Sequence, residues 1–288
     1  MTIGKRLAII GPTASGKSSL ALSVCRRLGD AEIVSIDAMQ VYRGMDIGTA
    51  SPSPAERTEV RHHLVDLVDP HEEFTLAQFQ SAYADAVADI DGRGRRAVLV
   101  GGTGLYLRAV TDGLTLPGQW PEIRRRLEAE AERSGPEPMF ERLRSLDAQA
   151  ATRMEPTNVR RIVRALEVCT LTGQPLSAVQ TPAHDPIFET RVMILDVSRD
   201  ELAKRIDRRV ERMFANGLIE EAEAALASPG GIGFTARQAP GYTEAIELLA
   251  GRIDRVEAIR RTQLRTRQLA KRQRTWFRSF KNATWIGA

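Results

Sequence analysis

Cysteine is scarce in this sequence, and long apolar runs are missing. The two cysteines, Cys25 and Cys169, lie far apart, each within an apolar helical pattern. There is no CxxC pair, and the four histidines lack metal-site spacing, so we expect buried free thiols rather than a disulfide or a zinc site. No apolar run approaches the roughly 18–20 residues of a membrane helix, and the N-terminus shows no signal-peptide pattern. These absences predict a cytoplasmic protein without membrane contact.

Charge is distributed unevenly along the chain. Hydrophobic residues make up 42% and charged residues 27% of the sequence, which is ordinary for a soluble globular protein. The formal net charge is +4, but residues 252–278 carry ten basic and two acidic side chains, a local charge of +8, so the remainder carries −4. A basic segment on a slightly acidic body favours a polyanionic partner. No feature indicates an obligate oligomer, and we expect a monomer.

A phosphate-binding motif lies near the N-terminus and fits the P-loop pattern G-x-x-x-x-G-K-[ST]. An apolar run at residues 7–10 predicts a buried strand before it, and apolar residues from Leu20 to Leu28 recur at helical spacing after it. Strand, loop and helix form the context that this motif needs. The residues expected to bind phosphate are Gly11, Pro12, Thr13, Ala14, Ser15, Gly16, Lys17 and Ser18.

The chemistry of the P-loop is local. Gly11 and Gly16 allow the backbone to curl so that N–H groups point at phosphate oxygens. The start of the next helix adds partial positive charge, and Lys17 can reach the terminal phosphate. The Ser18 hydroxyl is a suitable ligand for Mg²⁺, the cofactor that we expect. The motif alone leaves open which phosphate compound binds and whether a phosphoryl group is transferred.

Two further strands are predicted to end beside this loop. The run 33–37 reads as a buried strand ending in Asp37, followed by a loop over 38–53. The run 97–100 reads as another strand, which leads into the glycine-rich turn 101–104. Ligands of open α/β sheets bind at the carboxyl ends of strands. The turn can therefore face a ligand, although many α/β proteins use such turns only for packing.

Other segments complete the expected architecture. Strands are predicted at 63–67 and 191–197, and helices at 74–90, 198–214, 218–226 and through much of 242–280. Residues 117–189 lack strand-like runs and predict a helical insertion, with helices near 121–133, 136–146 and 157–172. We therefore expect an α/β fold: a P-loop NTPase-like core with a parallel sheet flanked by helices, formed by 1–116 and 190–288, plus an all-helical insertion domain.

Four blocks of sequence resemble bacterial tRNA dimethylallyltransferases. They are residues 37–50, 101–106, 160–167 and 266–276. The blocks follow the family's order and spacing and, with the P-loop, run from residue 11 to residue 276. The resemblance implies transfer of the dimethylallyl group from dimethylallyl diphosphate to the exocyclic amine of the adenosine immediately 3′ of the anticodon, in tRNAs that read codons beginning with U. The partner would be a tRNA anticodon stem-loop, and Mg²⁺ would accompany the diphosphate.

The resemblance also implies roles for individual residues. Asp37 matches the family's general base, although a magnesium-organising acid, as in P-loop kinases, is the competing interpretation. Thr103 and Arg209 match residues that contact the diphosphate. Position 38 is Ala where the family commonly has Ser, so a hydroxyl contact expected there is missing. The residues matching tRNA-contacting stretches are Asp37, Ala38, Met39, Gln40, Gly104, Arg124, Arg125, Arg160, Arg161, Ile162, Val163 and Arg164.

Other functions stay open at this stage. An isopentenyltransferase acting on free adenine nucleotides would share the core but would not need the basic insertion and terminal segment. A P-loop small-molecule kinase would consume ATP, and a non-catalytic RNA-binding ATPase module would bind RNA without Asp37. The arginines of 160–164 could equally be an ordinary solvated helix face.

Overall fold

The computed structural model describes residues 6–112, 114, 117–179 and 190–287. The chain forms two compact units: unit 1 comprises Met1–Thr111 and Phe188–Ala288, and unit 2 comprises Asp112–Ile187. Unit 2 is therefore an insertion between the two halves of unit 1. These divisions lie close to the boundaries expected before residues 117 and 190.

Unit 1 is built on one parallel sheet. Its strands are β1 (Arg6–Ile10), β2 (Ala31–Ser35), β3 (His62–His63), β4 (Arg96–Gly101), β5 (Thr190–Asp196) and β6 (Thr284–Gly287). Their order across the sheet is β3-β2-β4-β1-β5-β6, and every neighbouring pair is parallel. β1, which leads into the P-loop, thus lies in the interior of the sheet. The expected class, a parallel sheet flanked by helices, is confirmed.

Helices make up most of the remaining regular structure. In chain order they are α1 (Lys17–Leu28), α2 (Asp46–Thr49), α3 (Pro54–Glu59), α4 (Leu76–Gly92), α5 (Gly104–Thr111), α6 (Pro121–Ser134), α7 (Pro136–Leu146), α8 (Ala148–Ala151), α9 (Val159–Thr172), α10 (Leu176–Val179), α11 (Arg199–Ala215), α12 (Leu218–Ala227), α13 (Tyr242–Leu249) and α14 (Arg255–Phe277), with a short 3-10 helix at Ala236–Gln238. Within the described ranges, none of these helices is both long and apolar enough to span a membrane.

The central strands β1, β2 and β4 are buried on both faces, and their alternate residues point to opposite sides of the sheet. Ile9 packs with Leu22 of α1 on one face. Ile10 packs on the other face with Phe79 of α4 and with Phe277, the last residue of α14. A separate core joins α11–α14 to the segment after β2 and includes Tyr42. Residues of α11 and α14 therefore lie beside the carboxyl ends of the central strands.

The segment after β2 differs from its prediction. The expected loop over 38–53 contains α2, a helix of one turn. The strand expected at 63–67 is wrong: only His62–His63 pair with β2. Leu64 and Asp66 have φ angles of 62° and 55°, and this left-handed backbone cannot continue a strand.

The C-terminal tail is largely helical, as expected, and is divided into two helices. α13 ends at Leu249, Gly251 adopts a left-handed conformation with φ 68°, and α14 begins after Asp254, whose side chain accepts a hydrogen bond from the Glu257 N–H at 2.8 Å. Strand β6, which the sequence did not predict, pairs in parallel with β5. The expected helix at 198–214 is confirmed as α11, and Ser198 is its N-cap.

Unit 2 is helical throughout its described residues, as expected for the insertion. The observed helices α6, α7 and α9 lie close to the segments predicted at 121–133, 136–146 and 157–172, whereas the short helices α8 and α10 were not predicted. The core of unit 2 joins α6, α7 and α9 through residues such as Leu127 and Leu143. Apolar periodicity predicted these helices because each buries one face against the other two.

Candidate active site

A cavity of about 770 Å³ lies in unit 1 at the carboxyl ends of the central strands. The P-loop, the segment after β2, the turn after β4 and residues of α11 and α14 form its walls. This is the edge at which open α/β sheets bind ligands. The predicted site residues that line it are Thr13, Lys17, Ser18, Asp37, Ala38, Met39, Gln40, Thr103 and Arg209.

The P-loop presents backbone N–H groups that no described protein group accepts. Ala14 and Gly16 have left-handed φ angles of 62° and 91°, which turn the loop into the start of α1. Among the described residues, the N–H groups of Ala14, Gly16, Lys17 and Ser18 have no hydrogen-bond acceptor. Unpaired N–H groups at a helix N-terminus favour a negative ligand. The loop is therefore suited to hold a phosphate group.

Two cations lie beside the loop. Arg209 donates to the Thr13 hydroxyl at 3.0 Å and to the Gly48 carbonyl at 3.4 Å. Burial lowers the pKa of Lys17 to about 8; the Asp37 carboxylate opposes this shift, and the Arg209 guanidinium adds to it. Burial also lowers the pKa of Arg209, again against the effect of Asp37. Both cations would gain stability from an anionic ligand in the cavity.

The register of α11 decides which of its arginines reaches the cavity. Arg209 lines both the cavity and an adjoining, more open groove that Ala14 and Gly16 of the P-loop also border, whereas Arg208 and Arg212 line only the groove. Arg205 lines the same groove and is paired with Glu201 at 2.8 Å. Arg209 is thus the α11 arginine that lines the cavity beside Lys17 and Asp37.

Asp37 lies two residues beyond the end of β2, rather than at the end of a strand as predicted. Its Oδ1 accepts a hydrogen bond from the Met39 N–H at 3.0 Å, and Oδ2 accepts none from the described residues. The next N–H, that of Ala38, donates to Thr103 Oγ1 at 3.2 Å. The segment after β2 and the turn after β4 are therefore joined by a bond between Thr103 and the residue that follows Asp37.

The other predicted residues of the Asp37 segment also lie at the cavity. Gln40 accepts a hydrogen bond from the Ser35 hydroxyl at 2.8 Å and donates to the Ala50 carbonyl at 2.9 Å. These bonds tie Gln40 to the end of β2 and to the residue that follows α2. Ala38 and Met39, which follow Asp37, also line the cavity.

An acidic residue that the sequence did not reveal supports the same segment. Glu221 of α12 accepts hydrogen bonds from the N–H groups of Asp46, Ile47 and Gly48, at 2.8, 2.8 and 3.2 Å. It also accepts the Tyr242 hydroxyl at 2.5 Å. A Cβ atom at Gly48 would collide with the Tyr242 ring. Glu221 resembled any acid of an amphipathic helix, so only the fold identifies its role.

The glycine turn after β4 both faces the cavity and packs closely against its neighbours. Thr103 faces the cavity. A Cβ atom at Gly101 would collide with the Ile36 carbonyl, and one at Gly102 with the Gln273 side chain. Gly104 does not line the cavity; a Cβ there would come within 2.7 Å of the Trp276 indole. Its predicted tRNA contact is therefore not supported, because its open side is covered by α14.

The basic helix α14 contributes a wall of the cavity, which charge alone did not predict. Arg265, Gln268, Arg272 and Gln273 line it. Arg265 is held at 2.8 Å by the buried carboxylate of Glu244. Other arginines of the segment are paired within unit 1: Arg260 and Arg261 with Glu257, Arg267 with Asp207, and Arg274 with Asp196. The local charge of the segment is thus partly neutralised by the fold.

In unit 2, the predicted RNA-contacting residues divide into three groups. Arg124 and Arg164 bind the fully buried carboxylate of Glu167 at 3.0 and 2.9 Å, and these bonds help to hold the pKa of Glu167 below its usual range against burial. The predicted contact at Ile162 and Val163 is corrected, because both are core residues with 0% and 2% exposure. The residues left exposed are Arg125, Arg160 and Arg161.

Known proteins resemble this chain along nearly its whole length. The family model described as IPP transferase matches residues 40–280. A tRNA dimethylallyltransferase of Geobacter metallireducens is 49% identical over 98% of this chain and 92% of that protein. A tRNA dimethylallyltransferase of a Nocardioides species is 47% identical over 97% of this chain and 90% of its own length.

Solved structures show the same relationship. The tRNA isopentenylpyrophosphate transferase of Bacillus halodurans has a TM-score of 0.71 and 39% identity, covering 98% of this chain and 89% of that one. A eukaryotic dimethylallyltransferase acting on tRNA has a TM-score of 0.80 and 27% identity, covering 98% and 73%. The cavity, with its P-loop, its acidic residue and its glycine turn, therefore belongs to a recognised enzyme family: this chain is a member of the IPP transferase family.

Proposed function

We propose that this protein transfers the dimethylallyl group from dimethylallyl diphosphate to the exocyclic amine of the adenosine immediately 3′ of the anticodon, in tRNAs that read codons beginning with U. The observation that carries the proposal is that one cavity holds both halves of the required chemistry. An anion cradle with two cations lies beside a carboxylate with one unoccupied oxygen. Relatives named tRNA dimethylallyltransferase support the choice of substrates.

The P-loop and its two cations stabilise the leaving group. The bond between the allylic carbon and the diphosphate oxygen breaks, and the negative charge that develops needs preorganised donors. The free N–H groups of the P-loop, Lys17 and Arg209 supply them, and Thr103 offers a hydroxyl to the same cavity. Because burial makes both cations costly without an anion, they hold a departing diphosphate more strongly than an exposed pair would.

Asp37 is the base in this mechanism. An adenine amine is a poor nucleophile because its lone pair is delocalised into the ring, so its proton must leave as the bond to carbon forms. Asp37 Oδ1 is fixed by the Met39 N–H, which leaves Oδ2 to accept that proton. The new N–C bond replaces the C–O bond, and diphosphate leaves with the electron pair.

Mg²⁺ fits the residues present as a partner of the diphosphate. The Ser18 hydroxyl lies on the cavity wall and makes no hydrogen bond within the described part of the chain. Within that part, no cluster of three acidic, histidine or cysteine side chains could hold a metal. Ser18 would therefore hold Mg²⁺ together with diphosphate oxygens and water, and Asp37 stays free to act as the base. When bound, the ion would neutralise charge on the diphosphate.

The RNA would meet the basic wall of the same cavity. A stacked anticodon-loop base must be extruded before it can react. Gln268 and Arg272 line the cavity on α14, so an amide and a cation are available to RNA phosphates and base edges. This wall favours a tRNA substrate over a free nucleotide, which would not need it.

The test is incubation of the protein with dimethylallyl diphosphate, Mg²⁺ and unmodified tRNA, followed by nucleoside mass analysis. A dimethylallyl adduct on adenosine beside the anticodon supports the proposal. Equal rates on AMP and on an anticodon stem-loop would favour the free-nucleotide enzyme. Transfer of label from [γ-³²P]ATP to a product would favour a kinase, and RNA binding without any turnover would favour a binding module.

A further inference from the structure

Gln273 of α14 connects the two glycine-containing loops of the cavity. Its Oε1 accepts a hydrogen bond from the Thr13 N–H at 2.9 Å, and its Nε2 donates to the Gly102 carbonyl at 3.0 Å. We propose that Gln273 is a positioning residue, which sets the P-loop in register with the turn that carries Thr103. The proposal rests on the proposed function, because it assigns Gln273 a role in that reaction.

The surroundings show that this bridge is built into the fold. A Cβ atom at Gly102 would collide with the Gln273 amide, so the turn leaves room for it. The next residue, Arg274, donates to the Val197 carbonyl at 2.9 Å and pairs with Asp196 at 2.8 Å, at the end of β5. Phe277, 1% exposed, anchors the end of α14 in the core. The amide is therefore held by its own helix, at little further entropic cost.

The bridge also decides which N–H groups remain for a ligand. It occupies the N–H of Thr13, the third residue of the P-loop, and leaves those of Ala14, Gly16, Lys17 and Ser18 open. These four donors lie in the half of the loop that leads into α1. A shift of the loop would displace all of them together.

The bridge continues from the cradle to the proposed base. Gly102 precedes Thr103, whose Oγ1 accepts the Ala38 N–H at 3.2 Å, and Ala38 follows Asp37. The leaving-group site and the base thus lie on two segments joined through one carboxamide and one hydroxyl. Because misplacement by about 1 Å can cost on the order of 10²-fold in rate, the bridge bears on the chemical step rather than on RNA binding.

The first experiment compares Gln273→Met with Gln263→Met. Methionine keeps the side-chain length and removes both hydrogen bonds. Gln263 lies on the same helix, away from the cavity lining, and is the matched control. We expect Gln273→Met to lower the single-turnover rate by about 10- to 100-fold, with tRNA affinity close to that of the control. A wild-type single-turnover rate, or an equal loss in the control, would overturn the proposal.

A second variant tests whether Gln273 must bind both loops or only the Thr13 N–H of the P-loop. Gln273→Glu keeps an acceptor for the Thr13 N–H and loses the donor to the Gly102 carbonyl. We expect it to turn over as slowly as Gln273→Met, because the link between the loops is broken. Wild-type turnover by this variant would overturn the bridge.

A third measurement does not depend on activity. We expect the Thr13 amide to exchange with solvent about tenfold faster in Gln273→Met, as the loss of one hydrogen bond predicts, and at the wild-type rate in Gln263→Met. Unchanged exchange in Gln273→Met would overturn the geometry on which the proposal stands. Were the wild-type protein unable to modify tRNA, the proposed function would fail, while exchange and binding of magnesium pyrophosphate would still test the bridge.

Discussion

The guanidinium of Arg209 donates to the hydroxyl of Thr13 at 3.0 Å, across 196 positions of sequence. This bond brings a buried cation from the second half of unit 1 against the P-loop, which belongs to the first half. The site is therefore complete only when both halves of unit 1 have folded together.

Removal of this cation should weaken the hold on the diphosphate. We expect Arg209→Met to reduce affinity for magnesium pyrophosphate by about 10- to 100-fold, the usual range for a hydrogen bond to a charged group. Isothermal titration calorimetry measures this directly. Arg208→Met on the outer groove is the control and should bind like the wild type; equal losses in both variants would contradict the assignment.

Replacement of the Asp37 carboxylate should slow the chemical step and leave tRNA binding nearly unchanged. Asp37→Asn keeps the size and removes the base, so we expect turnover to fall by about 10²- to 10⁴-fold. Filter binding should show tRNA affinity within a few-fold of wild type, because the base acts only in the transition state. Normal turnover with a large loss of tRNA affinity would refute the role.

The affinity for the anion should depend on pH through Lys17. Burial lowers the pKa of Lys17 to about 8. The ammonium is charged below that pH and loses its proton above it, so pyrophosphate affinity should decline as pH rises from 8 to 10 by up to about tenfold per unit. Calorimetric titrations of the wild type and of Lys17→Met separate this effect from the titration of pyrophosphate. Parallel pH profiles of the two proteins would exclude Lys17 as the cause.

Loss of Glu221 should destabilise the segment that carries Asp37. Glu221→Ala leaves three N–H groups of α2 and the Tyr242 hydroxyl without their acceptor. We expect the free energy of unfolding to fall by about 1–3 kcal/mol, as measured by denaturant titration. The exposed neighbour Glu220→Ala is the control, and comparable values for the two variants would show that these bonds do not stabilise the fold.

Exposed arginines of unit 2 should differ from paired ones. Arg161→Glu should weaken tRNA binding and reduce the slope of log K against log salt by about 1 or more, while pyrophosphate binding stays unchanged. Arg133→Glu, an exposed arginine of α6 outside the matched block, is the control. Equal tRNA affinities for wild type and Arg161→Glu would assign Arg161 to an ordinary solvated face.

Arg164 belongs to a different experiment. Its removal leaves the buried carboxylate of Glu167 with fewer partners, and we expect Arg164→Met to lower the stability of unit 2 as well as any RNA binding. Denaturant titration beside the binding assay separates the two effects.

The sequence by itself determined the elements whose signals are local. The P-loop pattern, with its flanking strand and helix, depends on backbone geometry within a few residues, and so do the helix cap at Ser198 and the apolar periodicity of the three main helices of unit 2. The resemblance of the block at 37–50 identified Asp37 before its surroundings were known. These features need no knowledge of what packs against them.

Only the tertiary structure decided the relationships between distant segments. Gln273 joins Thr13 to Gly102, Glu221 holds the backbone of α2, and Ile162 is buried beside arginines that are not. The charge of the sequence indicated only a basic terminal segment. In the structure, its helix α14 forms a wall of the cavity, and many of its arginines are paired with acidic residues. These outcomes depend on side chains far apart in sequence that packing brings within hydrogen-bond distance. Composition and periodicity do not encode such pairings.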